Sequence, residues 1–399
     1  MWPDQNMCSG SSNDPAIGVS KTIVFSWIFP LDGTAGGVER VTQRLMEGLA
    51  RRGHNCLFLL HDTVEGKFLF EGKDVGELGD FLHQHDVDTL VNQNGYSSAM
   101  TEALCSASWR GRYIVCHHNE PMFLRKVYGL RSVFGFVSAH EGPLGTRLTW
   151  LARLVAYPLW QWLSTRKISM TQARNYLRAD RYVLLSPTFL PQLKKLLGLG
   201  EIPKATAIPN PLSFEIAPRE AAGFEKSKDV LIVARLNDGE KRISAALAAW
   251  RIIERQDPNG WMLKIVGDGP DTETLQGKAR NLGLKRVIFV GRQDPLALYK
   301  PASIFLMTSR VEGWGLTLTE AMQTGAVPVA FDAYASLRDI IEHGETGVVV
   351  ANGDVSALAD ETLRLMRDPE RCKTLSIRAI EAAQRYRLGL ILDKWEAIL

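Results

Sequence analysis

The sequence predicts an α/β protein made of two parallel-sheet domains. Short apolar runs rich in β-formers alternate with stretches of helical period, and they do so in two separate series. A strand followed by a helix and a second strand implies a parallel pair. Between the two series stands PNP, where Pro209 and Pro211 break any regular element. A length of 399 residues fits two or three domains of ordinary size.

The elements follow in order. Residues 22–29 (TIVFSWIF) form the first strand, and PLDGTAGG, 30–37, is a turn. In the next stretch Val38, Val41, Leu45 and Leu49 recur at helical spacing, with Gly53 placed to cap the end. CLFLL (56–60), VDTLVNQ (87–93), RYIVCHH (112–118), RYVLLS (181–186) and ATAIPN (205–210) read as further strands. Residues 120–180, rich in Trp, Leu and Arg, are mostly helical by period.

The second series starts with the strand DVLIVARL near 229, then the helix SAALAAWRIIERQ, the strand and turn WMLKIVGDGP, and a helix capped by Gly283. RVIFVG, LYKPASIFLMTS, AVPVAF and TGVVVA follow as strands. LTLTEAMQTG and VSALADETLRLMRD are the clearest helices between them. The expected organisation is a disordered leader at 1–20, a first domain at 21–208, a second at 209–385 and a terminal helix at 386–399.

Composition narrows the function classes. Hydrophobic residues at 45% and charged residues at 23% exclude global disorder. A mean hydropathy of −0.08 argues against a polytopic membrane protein. Lys+Arg of 47 against Asp+Glu of 44 is too balanced to imply nucleic acid. The five cysteines are scattered without a CxxC pair, which predicts free thiols in a cytoplasmic protein. No D-x-D carboxylate pair precedes a suitable strand, so no metal site and no cofactor are expected.

The strongest constellation is SRVEGWGLTLTEAMQTGAVPVA, residues 309–330. Glu312 lies in a loop past an apolar strand, and Gly313 and Gly315 let backbone amides approach a ligand. Trp314 lies between them. A helix begins near Leu316, so its free amides face the same place. Glu320 follows on that helix. Amides suit phosphate oxygens and carboxylates suit hydroxyls, which together fit a sugar joined to a diphosphate. A capped helix with two solvated glutamates is the plain alternative.

This segment resembles the two-glutamate signature of retaining GT-B glycosyltransferases of family four, the glycosyl transferases group 1. Seven residues separate Glu312 from Glu320, and the likeness runs from 229 to about 365, including HGETGVVV at 343–350. It implies the GT-B fold, with two Rossmann-like domains facing across a cleft and a C-terminal helix packed back on the first domain. It implies that Glu320 holds the nucleotide ribose and Glu312 the donor sugar. In VARLNDGEKR, Arg235 and Lys241 resemble the family's cation pair on the donor diphosphate, with Arg242 as the alternative to Lys241. In KIVGDGP, Gly267 and Gly269 resemble a G-x-G-P turn, and Asp268 either touches the nucleotide or caps the turn. Thr272 stands where a dinucleotide fingerprint needs its third glycine, which disfavours an oxidoreductase. Arg292 and Gln293 resemble the loop flanking the base, or form an ordinary surface loop.

In the first half, Gly36 and Gly37 resemble the family's glycine-rich loop facing donor phosphate and acceptor. VCHHNEP ends a strand with His117 and His118, and His118 is favoured for the transferred sugar because Asn119 follows it. Asn210 matches a hinge asparagine. Residues 147–167 (RLTWLARLVAYPLWQWLSTRK) combine Trp, Leu and basic residues. They fit either a bilayer interface or a buried helix pair, with Pro158 as an expected kink.

The resemblance therefore implies transfer of a hexose-type sugar, with retention, from a nucleotide sugar, most commonly a UDP-sugar. The acceptor would be a glycan or lipid-linked chain in bacterial surface polysaccharide or lipopolysaccharide synthesis. The leaving phosphate would take the acceptor proton. The expected place is the cytoplasm, peripheral to the membrane through 147–167, without nucleic acid as a partner. An epimerase or phosphorylase on the same fold, and a non-catalytic sugar-nucleotide-binding protein, are the rival readings.

Overall fold

The computed structural model describes residues 19–31, 36–123, 156–257 and 260–399. Residues 1–18 and 124–155 lie outside them, and with them most of the leader and the segment 147–155. The first sheet is built from β1 (Thr22–Trp27), β2 (Asn55–Asp62), β3 (Lys67–Phe70), β4 (Lys73–Asp74), β5 (Thr89–Asn92), β6 (Arg112–His117), β7 (Arg181–Leu184) and β8 (Ala205–Ala207). Their spatial order is β4-β3-β2-β1-β5-β6-β7-β8. Helices α1 (Gly37–Arg51), α2 (Leu78–Gln84), α3 (Ala99–Ser106), α4 (Tyr157–Arg178) and α5 (Phe189–Leu197) connect and cover it.

All these pairings are parallel except β2 with β3 and β3 with β4. That edge hairpin has no counterpart in the sequence reading. Its strands have only four and two residues, and the second is exposed, so they are too short for a pattern to mark them. The turn is set by Asp62, whose Oδ1 accepts from the amides of Val64 at 2.8 Å and Glu65 at 3.1 Å.

After α6 (Pro218–Ala222) comes the second sheet, with β9 (Ser227–Val233), β10 (Met262–Val266), β11 (Val287–Gly291), β12 (Ala302–Met307), β13 (Val327–Phe331) and β14 (Val348–Val350) in the order β11-β10-β9-β12-β13-β14. Every pairing in it is parallel. Its layers are α7 (Asp238–Lys241), α8 (Ile243–Gln256), α9 (Thr272–Asn281), α10 (Leu296–Tyr299), α11 (Leu316–Gln323), α12 (Leu337–Ile340), α13 (Val355–Arg367) and α14 (Pro369–Ala383). Strands β12 and β13 are buried at every residue, as expected of parallel strands covered on both faces.

Two sequence expectations change. Pro158 does not kink a helix; it sits in the first turn of α4, where its missing N–H costs nothing. Leu298 and Tyr299, read as part of a strand, belong to the turn of helix α10 that precedes β12.

The last helix, α15 (Leu388–Glu396), packs on α1 of the first domain. Gly48 makes this approach close, because a Cβ there would stand 2.7 Å from Leu392 Cδ1. Arg52 pairs with Asp393 at 2.8 Å and Glu396 at 2.6 Å, and Arg112 donates to the Ile398 carbonyl at 2.8 Å. The strand order reverses between β2 and β5 around β1, and between β10 and β12 around β9. Ligand crevices form beyond the carboxyl ends of strands at such reversals. The residues that follow β1, β6, β9 and β12 meet at that place.

Candidate active site

The loop after β9 and the loop after β12 are tied together by their backbones. Arg310 N donates to Glu240 O at 2.7 Å, and Thr308 Oγ1 donates to Lys241 O at 2.8 Å. This brings Lys241 to Glu312, and the two form an ion pair of 2.5 Å that is mostly but not wholly buried. Arg242 is not an alternative to Lys241. Its Nε donates to Thr308 O at 2.8 Å, its other nitrogens reach Asn352 and Ser309, and its guanidinium lies over the Phe331 ring. It braces the two loops. Arg235, by contrast, keeps a side chain 66% exposed and pairs, among the described residues, with Glu240 at 3.4 Å.

The floor of this region is glycine. Gly267 has φ +125°, and a Cβ there would overlap the Ala234 carbonyl oxygen. The Leu236 amide donates to Asp268 O at 2.9 Å, so the β10 turn supports the loop carrying Arg235. The Asp268 side chain caps its own turn: Oδ1 accepts from Gly269 N at 2.8 Å and Thr272 Oγ1 at 2.7 Å. Those bonds, the Thr272 hydroxyl first, hold its carboxyl below the usual range. Arg292 and Gln293 lie exposed just past β11.

Gly313 is where the domains touch. A Cβ on it would overlap the carbonyl oxygen of His118. Gly315 has φ +94°, a left-handed turn that starts α11, and the Leu316 side chain packs against Gly37 of the first domain. The Gly36 backbone is extended and precedes α1. Trp314 departs from the expected role: its indole is buried and meets Tyr386 edge-on at 5.1 Å. Only its backbone is left to meet a ligand.

His117 and His118 point to opposite faces, as neighbours at a strand end do. His118 faces Trp27 and the domain junction, with Nε2 2.7 Å from Gln93 Oε1. Among the described residues its Nδ1 and Gln93 Nε2 are both buried without a hydrogen-bond partner. Burial, with a smaller contribution from His117, pushes the His118 imidazole down to about 3, so it is neutral near pH 7. His117 turns instead toward Tyr96 and Tyr182.

Glu320 is fully buried. Its Oε1 accepts from Arg40 at 2.9 Å and Ser213 Oγ at 2.6 Å, and its Oε2 accepts from Tyr299 at 2.9 Å. The sequence reading missed Arg40, Ser213, Tyr299 and Gln93. Arg40 stands just past the glycine pair that was noticed; the other three carry no local signal.

A model of the glycosyl transferases group 1 matches residues 214–382, which include both glutamates, Arg235 and Lys241. This stretch is similar to a group 1 glycosyl transferase domain. The chain is 27% identical over 388 residues to an uncharacterized glycosyltransferase of Haemophilus influenzae, covering 92% of this chain and 97% of that one. It is 32% identical over 180 residues to N-acetyl-alpha-D-glucosaminyl L-malate synthase of Bacillus anthracis. That match covers 44% of this chain, which spans less than half (46%) of the relative's length. The structure of Anabaena HepE in complex with UDP-glucose superposes with a TM-score of 0.66 at 16% identity, over 95% of this chain and 100% of that one. The described residues have the GT-B fold, and the stretch similar to group 1 domains forms its second half.

Among the described residues no helix is long and apolar enough to cross a membrane. On α4, however, Leu159, Trp162 and Leu163 are at least half exposed, and Arg166 stacks on Trp162 at 5.4 Å.

Proposed function

We propose that the chain is a retaining glycosyltransferase that moves a hexose-type sugar from a UDP-sugar to a glycan or lipid-linked acceptor. One observation carries this reading. The Lys241–Glu312 pair and the unpartnered polar atoms of His118 and Gln93 belong to loops that meet at the Gly313 contact between domains. A buried polar atom without a partner costs about 1–3 kcal/mol, which a bound sugar hydroxyl would recover. Lys241 and Arg235 supply positive charge for a departing diphosphate. Glu312 and neutral His118 orient the sugar. Glu320 serves the ribose once Arg40 or Ser213 withdraws its hydrogen bond and frees a carboxylate lone pair. The leaving phosphate takes the acceptor proton.

UDP as the base is supported by the Anabaena neighbour, which was solved with UDP-glucose. The cationic pair supports catalysis without a metal ion. A role in bacterial surface polysaccharide or lipopolysaccharide synthesis rests on the family resemblance. We place the protein in the cytoplasm. The apolar and basic face of α4 supports contact with an anionic bilayer surface, and sedimentation with anionic against neutral vesicles tests it. Equal binding to both would remove that contact.

Thermal shift against UDP, GDP, ADP and their sugars, with and without EDTA, tests the main reading. A ligand at 100 times its Kd stabilises by about 2.7 kcal/mol. A UDP-selective shift that EDTA leaves unchanged and that Lys241→Ala weakens is the expected result. A product assay then separates transfer from epimerisation, because only transfer needs an acceptor. No shift with any nucleotide and no sugar transfer would overturn the reading.

A further inference from the structure

A cavity of about 270 Å³ opens beside the end of β6, one residue from His118. Tyr96, His117, Phe123, Trp160, Ile168 and Gln172 are among its lining residues. Trp160, Ile168 and Gln172 are spaced by eight and four positions along α4, so one helical face looks into it. The volume lies just under the roughly 300–1,000 Å³ of drug-sized ligand pockets, which suits one ring with a short substituent.

Gln161, Ser164, Thr165, Lys167 and Thr171 also line the cavity. Gln172 is the buried amide of this wall, and its orientation is fixed. Its Nε2 lies 2.9 Å from Pro121 O, which can only accept, so that atom is the amide nitrogen. The same Nε2 lies 3.2 Å from His117 Nε2. His117 Nδ1 faces Asn119 O at 2.8 Å and must donate to it, so Nε2 is the acceptor of a neutral ring. Both amide hydrogens of Gln172 are therefore spent. Its Oε1 is buried with no hydrogen-bond partner among the described residues, on a residue 3% exposed.

The cavity surface is thus mostly apolar, with the hydroxyls of Ser164, Thr165 and Thr171 and the Lys167 amine among its lining, and it holds one buried acceptor without a partner among the described residues. A fully hydroxylated sugar would bury several hydroxyls against apolar surface there, each at a cost. A bare lipid chain would leave Gln172 Oε1 unpaired. An acetamido group supplies one N–H donor beside a methyl, and the apolar face of a pyranose packs on aromatic rings. We propose that this cavity is a subsite for an acceptor pyranose bearing an acetamido group, with its N–H donated to Gln172 Oε1 and its methyl against Trp160 and Phe123. The proposal rests on the transferase reading and adds the acceptor class to it.

The test titrates the full chain with the methyl glycoside of a 2-acetamido sugar and with its 2-hydroxy counterpart, followed by saturation-transfer NMR. UDP is titrated in parallel. The acetamido glycoside should bind at least about tenfold tighter, the equivalent of one well-made hydrogen bond. Ile168→Trp, which fills the cavity, should abolish glycoside binding while UDP binding stays unchanged and reports an intact fold. Gln172→Met should level the two glycosides. Equal affinities in the native protein, or glycoside binding that survives Ile168→Trp, would each overturn the subsite. UDP binding with neither glycoside bound overturns the subsite and leaves the transferase reading standing. Loss of UDP binding as well removes both.

Discussion

Glu312 and Glu320 have seven residues between them, yet they sit in opposite environments. Glu312 is on a loop, its side chain is 16% exposed, and its ion pair is with Lys241 alone. Glu320 is inside a helix, its side chain is 0% exposed, and it accepts from three residues in three separate segments. The difference follows from position. A loop after a strand end presents its side chains to the crevice, while one face of a packed helix turns inward. The loop carboxylate is free to exchange a partner for a ligand at small structural cost. The helix carboxylate is bonded across both domains, since Arg40 belongs to the first. A ligand that reaches Glu320 therefore acts on the junction as well as on the site.

The sharpest way to break this comparison is to remove the loop pair. Lys241→Ala and Glu312→Ala should each lower kcat by about 10²–10³, the range seen when one preorganised charged or donor group is lost. Melting temperature should barely move, because a partly exposed pair contributes little to stability. Turnover that stays within about twofold of wild type would reduce the pair to a surface ion pair.

Arg40→Ala acts on the other carboxylate. It removes a charge-assisted bond from a fully buried group, which costs about 1.5–3 kcal/mol. Urea unfolding should show that loss as a lower midpoint. A midpoint equal to wild type would mean that Ser213 and Tyr299 alone hold Glu320, and that the domains are not coupled through it.

The sequence made one half of this site legible and concealed the other for a physical reason. In the second domain the groups lie on loops directly after strands, so Arg235, Lys241, Glu312 and the glycine turn at 267–269 follow recognisable apolar runs. The parallel order of both sheets was also readable, since strand and helix periods alternate. Gln93, Ser213 and Tyr299 are meaningful only through partners 25 positions away or on another segment. No local pattern predicts such contacts. Trp314 failed in the reverse direction: it lies inside the signature, but tertiary packing against Tyr386 takes its side chain into the core.

The histidine pair gives a smaller effect, and its direction is fixed. Burial pushes His118 down to about 3 and His117 down to about 4, from an ordinary value near 6.5. The unfolded chain then binds more protons than the folded one between those values. The stability from burying both rings neutral is complete above pH 6.5 and is lost as pH falls toward 4. Melting temperature should decline across that window, and His117→Gln should flatten the decline. Parallel curves for the two proteins would mean that other groups set the acid limit.

The smallest expected effect belongs to Asp268, and it separates a motif from a site. Among the described residues its side chain hydrogen-bonds to Gly269 and Thr272, within its own turn, with a lesser attraction to Arg292, and it is exposed. The glycines on either side carry the geometry: Gly267 for its left-handed backbone and Gly269 because a Cβ would crowd the Leu236 backbone. Asp268→Asn keeps an oxygen to cap the turn and removes only the charge. Nucleotide affinity should therefore change by less than about twofold, as for most exposed positions away from such contacts. A loss of about tenfold or more would put the carboxylate itself on the ligand. The donor-binding role of this turn would then belong to a side chain that sequence pattern alone pointed to, and not to the backbone approach that its glycines permit.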